Sequence, residues 1–154
     1  MVKPGYIGGV PSTESEPLTQ GSRGSTVLIV DDERMVRVAM RHTLEKHGYQ
    51  VLEAASGREA ITLLHQGNGS VDLVVTDIVM PGMNGVEMIK RIAASKIVLP
   101  VIYMSGYMLD TAVQKIAGVR NQWMLAKPFF PAMLMSAVQK ALAVAGAGDG
   151  KGKS

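Results

Sequence analysis

Four short apolar runs in this chain end on residues able to do chemistry, each followed at once by turn or helix-start residues. Val27 to Val30 runs into Asp31-Asp32-Glu33, and Leu73 to Val75 leads through Thr76 to Asp77. Pro100 to Met104 stops at Ser105-Gly106, and Trp123 to Ala126 stops at Lys127-Pro128. Runs this short and rich in β-branched residues predict buried strands rather than helices. Behind Asp77, Pro81 and Gly82 break any helix, and Asn84 or Gly85 is suited to cap the next one. If the strands are parallel neighbours, three carboxylates, a hydroxyl and an ammonium emerge at one edge, where open α/β sheets carry their ligands. Singly, each residue has a plainer reading. Asp77 could be an exposed turn acid, Asp31 a helix N-cap with Asp32 in the first turn, Ser105 a turn former, and Lys127 a snorkelling stem. Recurrence at four strand ends is hard to explain by packing.

Clustered carboxylates repel one another and need a counter-charge. Oxygens from Asp31, Asp32 and Asp77, with a backbone carbonyl and water, suit a hard divalent cation, most naturally Mg²⁺, which favours phosphate oxygens as further ligands. Lys127 adds a second positive centre and Ser105 a hydroxyl donor. The set describes a site for a phosphoryl group, with one carboxylate as nucleophile and catalysis by positioning and charge.

The elements between these ends must hold them in place. Arg34 to about His47 sets Val36, Met40 and Leu44 on one stripe and Arg37, Arg41 and Glu45 on another, an amphipathic helix closed by Gly48. Gln50 to Ala54 reads as a further strand, and Ser56-Gly-Arg-Glu59 has capping-box spacing ahead of Ala60, Leu63 and Leu64. Asn84 to about Ser95 predicts a third helix with Ile89 and Ile92 inward, and Asp110 to Ala117 a short fourth. Pro131 opens the last helix, with Leu134, Val138 and Leu142 inward. Five strand–helix units predict an α/β fold: a doubly wound five-stranded parallel sheet with five helices on both faces.

Composition narrows the function classes. The 154 residues suffice for one domain with a buried core, and 47% hydrophobic content with few aromatics suits an aliphatic one. With no cysteine, disulfides and thiolate metal sites are excluded. No apolar run approaches a membrane span and no secretory signal layout opens the chain, so no membrane insertion and a cytoplasmic location are expected. The formal charge of +3 comes without a dense basic run, so direct nucleic-acid binding is not expected. Residues 1–25, rich in Gly, Pro, Ser and Thr, read as a flexible leader or linker, and the Gly- and Lys-rich residues 145–154 as a tail, leaving 26–144 as the folded domain. His42, His47 and His65 lack metal spacing. Most of the methionines read as core filler, with an adaptable contact surface as the alternative for Met108, Met133 and Met135.

Over residues 26–144 the chain resembles the receiver domain of two-component response regulators. The resemblance rests on Asp31-Asp32, on Asp77 with Met80-Pro81-Gly82 and Gly85 behind it, on Ser105-Gly106, and on Lys127-Pro128-Phe129. It implies a flavodoxin-like fold and an acceptor role for Asp77, taking phosphate from a phosphohistidine on a histidine kinase or histidine phosphotransfer protein. It also implies Mg²⁺ held by Asp32, Asp77 and the Val79 carbonyl, with Asp31 direct or through water. Lys127 and Ser105 would hold the phosphoryl oxygens, and Lys127–Pro128 would be cis. The domain would not be an enzyme in its own right, although it would assist its own phosphorylation and dephosphorylation. It would be a monomer or a weak phosphorylation-dependent dimer, switching a partner surface on the fourth helix, fifth strand and fifth helix. Partner choice would sit around Met35, Ala39 and Thr43.

One position departs from the family pattern: Met124 stands three before the lysine, where an aromatic is usual, with Trp123 one earlier, so Met124 or Tyr107 would take over its movement. Apolar Val79 beside Tyr107 implies slow to moderate self-dephosphorylation. The resemblance leaves open a stand-alone regulator or the receiver of a hybrid sensor kinase. From another class, a Mg²⁺-dependent aspartate-nucleophile phosphatase of haloacid-dehalogenase type would use similar groups, but it needs an acid where Val79 stands. A flavin binder lacks its phosphate loop after the first strand.

Overall fold

The computed structural model describes residues 24–67, 71–106 and 121–153, with side chains as far as 145. The described elements are β1 (Thr26–Val30), α1 (Arg34–Lys46), β2 (Gln50–Ala54), α2 (Gly57–Gln66), β3 (Leu73–Asp77), α3 (Gly85–Ala94), β4 (Val101–Ser105), β5 (Gln122–Ala126) and α4 (Pro131–Lys153). The strands form one sheet in the order β2-β1-β3-β4-β5. Every pairing in it is parallel. The helix expected over Asp110 to Ala117 lies outside the described residues, which hold four helices.

Alternate residues of each central strand go to opposite cores, as the two-residue period of a strand requires. Val27, Ile29, Leu73, Val75, Ile102 and Met104 pack with Met40 and Leu44 of α1 and Leu134 and Val138 of α4. Leu28, Val30, Val74, Val101 and Tyr103 pack with Ala60 of α2 and Val86, Met88, Ile89 and Ile92 of α3. Each such Val, Leu, Ile or Met side chain, when fully buried, stabilises the fold by about 1.5–3 kcal/mol before chain entropy is counted. Both faces of the sheet are therefore covered, which explains why the strands read as continuous apolar runs.

The helix starts use the caps legible in the sequence. Ser56 Oγ accepts from Glu59 N at 3.1 Å, and Asn84 Oδ1 from Glu87 N at 2.8 Å. Glu59 reaches back one residue further than a standard capping box, accepting from Ala55 N at 2.7 Å. Met135 is buried among the α4 core residues, because it shares the inward stripe with Leu134 and Val138; Met133 stays 44% exposed and Met108 is outside the described residues. Helix α4 runs to Lys153. No proline interrupts its backbone ladder, although Gly146, Gly148, Gly150 and Gly152 each cost about 1 kcal/mol relative to alanine there.

The sheet reverses its winding between β1 and β3, the neighbours whose connections leave in opposite directions. Such a switch point opens a crevice at the carboxyl ends of the strands. Far from it, at the amino-terminal edge, Val98 in the α3–β4 loop stands 79% exposed.

Candidate functional site

At the switch point, β1 delivers Asp31 one residue past its end, β3 ends on Asp77, β4 ends on Ser105, and Lys127 follows β5 directly. The in-register parallel pairing of these four strands is what brings residues 96 apart in sequence together. Lys127 Nζ donates to Asp31 Oδ2 at 3.2 Å and to Asp77 Oδ2 at 3.0 Å. Its own backbone N–H donates to the Ser105 carbonyl at 2.9 Å, so the lysine is tied to the neighbouring strand end as well. The Lys127–Pro128 peptide is cis, as the resemblance implies.

The carboxylates differ in exposure. Asp31 is fully buried, Asp77 is 8% exposed and Asp32 lies in the open at the mouth. Asp31 Oδ1 accepts from Glu33 N at 2.8 Å. Asp31 is thus not the cap of α1; Glu33 holds that position without a side-chain cap bond. Asp77 Oδ1 takes a 3.3 Å bond from Val79 N, and Val79 itself is 60% exposed. Burial pushes the Asp31 carboxyl above its ordinary value, helped by the charge of Asp77 and opposed by the Glu33 N–H and Lys127. Burial alone would lower the Lys127 ammonium, but the hydrogen bond and charge of Asp77 together with those of Asp31 carry it above its usual value. Lys127 is therefore a fixed positive charge in this site.

One ammonium against three carboxylates leaves the nest net negative. Asp31, Asp32 and Asp77 each offer an oxygen, all within 4.8 Å of one another. Opposite ligands of a magnesium ion lie about 4.2 Å apart, so the donors need close by only a fraction of an ångström, or use one water, to share one ion. Hard oxygens, negative excess and an open mouth at Asp32 fit that cation.

The loop behind Asp77 is fixed by backbone. Gly85 N donates to the Ile78 carbonyl at 2.8 Å, and Gly82 takes the left-handed φ of +79°. A Cβ on Gly85 would fall 2.2 Å from the Asp77 carbonyl oxygen, so only glycine allows this approach. Ser105, 2% exposed, ends the strand adjacent to Asp77. Met124 is half-buried against the α2–α3 core, and Tyr107 lies outside the described residues.

Sequence reasoning placed Arg37 and Arg41 on a polar helix stripe and missed what they hold. Arg37 Nη1 donates to the Asp31 carbonyl at 2.8 Å while its Nε donates to Glu53 Oε1 at 3.0 Å. Arg41 binds the other oxygen of Glu53, along with Glu45 and the Val51 carbonyl. The available signal was a lone acid, Glu53, between Leu52 and Ala54 in the strand.

This sheet order and this polar nest define a doubly wound α/β domain built to handle a phosphoryl group. The chain belongs to the response regulator receiver domain family, which it matches over residues 27–139; these are the phosphoacceptor domains of two-component signalling, not classical enzymes. It is 35% identical over 127 residues to the sensor kinase CckA of Brucella abortus, covering 82% of this chain and 13% of the kinase. It is 33% identical to sporulation initiation phosphotransferase F of Bacillus subtilis, covering 75% of this chain and 92% of that protein. With a chemotaxis protein CheY homolog of Campylobacter jejuni the identity is 36%, covering 82% and 96%. Among solved structures, the receiver domain of the hybrid histidine kinase CckA aligns with a TM-score of 0.66 at 31% identity, over 77% of this chain and 99% of that one. Vibrio cholerae chemotaxis protein CheY4 aligns with a TM-score of 0.69 at 31% identity, over 77% and 99%. The chain therefore spans a small part of the kinase but nearly the whole of the single-domain relatives. The phosphatase alternative finds no support. No helix among the described residues is long and apolar enough to cross a membrane.

Proposed function

We propose that Asp77 accepts a phosphoryl group from a phosphohistidine of a histidine kinase or histidine phosphotransfer protein. The observation that carries this reading is the Lys127 ammonium set between Asp31 and Asp77, with Asp32 beside them. A carboxylate oxygen of Asp77 forms the new O–P bond as the donor's N–P bond breaks, and the imidazole leaves with the electron pair and takes up a proton. Lys127 offsets charge on the acceptor and then on the transferred oxygens, while Ser105 supplies a hydroxyl from the next strand end. Asp31, Asp32, Asp77 and the Val79 carbonyl would hold Mg²⁺, which when bound neutralises phosphoryl oxygens and orients them.

The product carries nearly two negative charges at neutral pH, more than the carboxylate it replaces. Lys127 and Ser105 close on that charge and move the chain after β4 and β5, which biases the partner surface formed by that region and α4. Only a difference in affinity between the two arrangements drives such a shift. The domain works in the cytoplasm with its donor, as a monomer or a phosphorylation-dependent dimer, and without nucleic acid as a direct partner. Exposed, apolar Val79 gives attacking water no polar partner, so self-dephosphorylation is slow to moderate; Val79→Asn shortens the lifetime.

Incubation with a small acyl phosphate and Mg²⁺, read by intact mass, tests the acceptor. Wild type gains one phosphoryl group and Asp77→Asn gains none. A variant that takes up phosphate as readily as wild type, or a wild type that takes up none, overturns the reading.

A further inference from the structure

We infer that Arg37 is a positioning residue for the acidic nest, acting through the peptide bond that joins Asp31 to Asp32, with Glu53 as its anchor. The inference rests on the proposed metal reading. The Asp31 carbonyl belongs to that peptide, and Arg37 Nη1 donates to it at 2.8 Å. On the other side, Asp31 N donates to the Ala54 carbonyl at 3.2 Å. The peptide plane fixes where the chain carries Asp32, and Asp32 is the exposed donor with little else to orient it. Arg37 therefore sets the spacing between the buried and the exposed acid.

The arginine is held in turn. Its side chain is 15% exposed and donates from Nε to Glu53 at 3.0 Å. Glu53 occupies β2, directly before Ala54, and is shared with Arg41. A guanidinium has a rigid fork of donors, so one group can bind an acid and a carbonyl together; a lysine ammonium in its place reproduces the charge but not the fork. Groups that orient metal ligands without touching the ion commonly change affinity by about 10–100-fold when removed.

Charge alone predicts a different pattern, which makes the inference testable. Removing a positive charge near a cation site should tighten binding, and removing a negative charge should weaken it. Positioning predicts that Arg37→Gln and Glu53→Gln both weaken it. Arg41→Gln removes the same charge as Arg37→Gln and also loses a Glu53 bond, yet leaves the Asp31 carbonyl held.

The experiment is calorimetric titration of the full chain with MgCl₂, with circular dichroism confirming the fold of each variant. We expect a roughly 10–100-fold rise in Kd for Arg37→Gln and for Glu53→Gln, a smaller rise for Arg37→Lys, and a Kd within about twofold of wild type for Arg41→Gln. If Arg37→Gln does not fold, Arg37→Lys carries the test, because it keeps the charge and loses the fork: weaker binding than wild type supports positioning, and an unchanged Kd overturns it. A folded Arg37→Gln protein that binds as tightly as wild type, or more tightly, overturns the inference while the metal site stands. A wild type without Mg²⁺ binding, or an Asp32→Asn variant that binds unchanged, removes the site itself and the inference with it.

Discussion

Replacing Gly85 by alanine should damage the acceptor from behind, without touching a reacting group. The new methyl would lie 2.2 Å from the Asp77 carbonyl oxygen and 3.2 Å from both its carbonyl carbon and the Ile78 Cα. These are backbone atoms at the end of a buried strand and cannot rotate away. Relief to a 3.0 Å contact requires a shift of at least about 0.8 Å in Asp77 or in the start of α3. The Asp77–Lys127 hydrogen bond is 3.0 Å long, so a shift that Lys127 does not follow takes it beyond hydrogen-bond range. Overpacking of this kind costs about 1–3 kcal/mol, offset by up to about 1 kcal/mol of helix propensity. We expect a fall in Tm of roughly 3–10 °C for a domain of this size. Phosphoryl uptake should drop by as much as about 100-fold, since an ångström of misplacement at a reacting group can cost that much. The matched control is Gly57→Ala, whose Cβ meets only the Met83 side chain, 3.0 Å away at its sulfur. A flexible thioether moves aside, so this variant should stay within about 0.5 kcal/mol of wild type. Thermal melts and acyl-phosphate labelling of both proteins decide the matter. A Gly85→Ala protein with wild-type melting and uptake would refute the steric argument.

Lys127→Ala should cost about 2–3 kcal/mol in denaturant unfolding, because fully buried Asp31 loses its ammonium partner; the lysine's 23% exposure keeps the cost at or below the low end for a broken buried pair. Adding Asp31→Asn should recover part of that loss, and strict additivity of the two changes would contradict the pairing. Burial pushes the Tyr103 hydroxyl up to about 12. Its contribution is complete below pH 10 and disappears as pH rises through 12, so alkaline unfolding followed by tyrosinate absorbance should shift upward in Tyr103→Phe. Glu53 is held below its ordinary value by hydrogen bonds from Arg41, with Arg37 adding to the effect despite partial burial. That stability is present above about pH 4.5 and is lost as pH falls through the lowered value. Glu53→Gln should therefore show a flatter stability profile in acid than wild type.

The parts of the site carried by short-range signals were legible in the sequence. Asp31, Asp77, Ser105 and Lys127 each end an apolar run, and a parallel sheet can deliver such ends only to one side. Cap residues Ser56 and Asn84 were equally readable, since an N-cap bonds within three residues. What stayed hidden depends on distant chain segments meeting. Arg37 and Glu53 are 16 residues apart and touch only because α1 packs beside β2. Gly85 looked like a cap, and its contact with the Asp77 carbonyl exists only once the loop from Ile78 folds back. The contact-surface alternative for Met133 and Met135 rested on their adaptable side chains alone, and these go to different environments.

The segregation of reactive groups to one side of the sheet has a practical corollary. The chain contains no cysteine, and Val98 protrudes on the side away from the acids. A single thiol placed there would accept a maleimide dye at one defined spot, giving a spectroscopic handle on partner association that leaves the chemistry undisturbed.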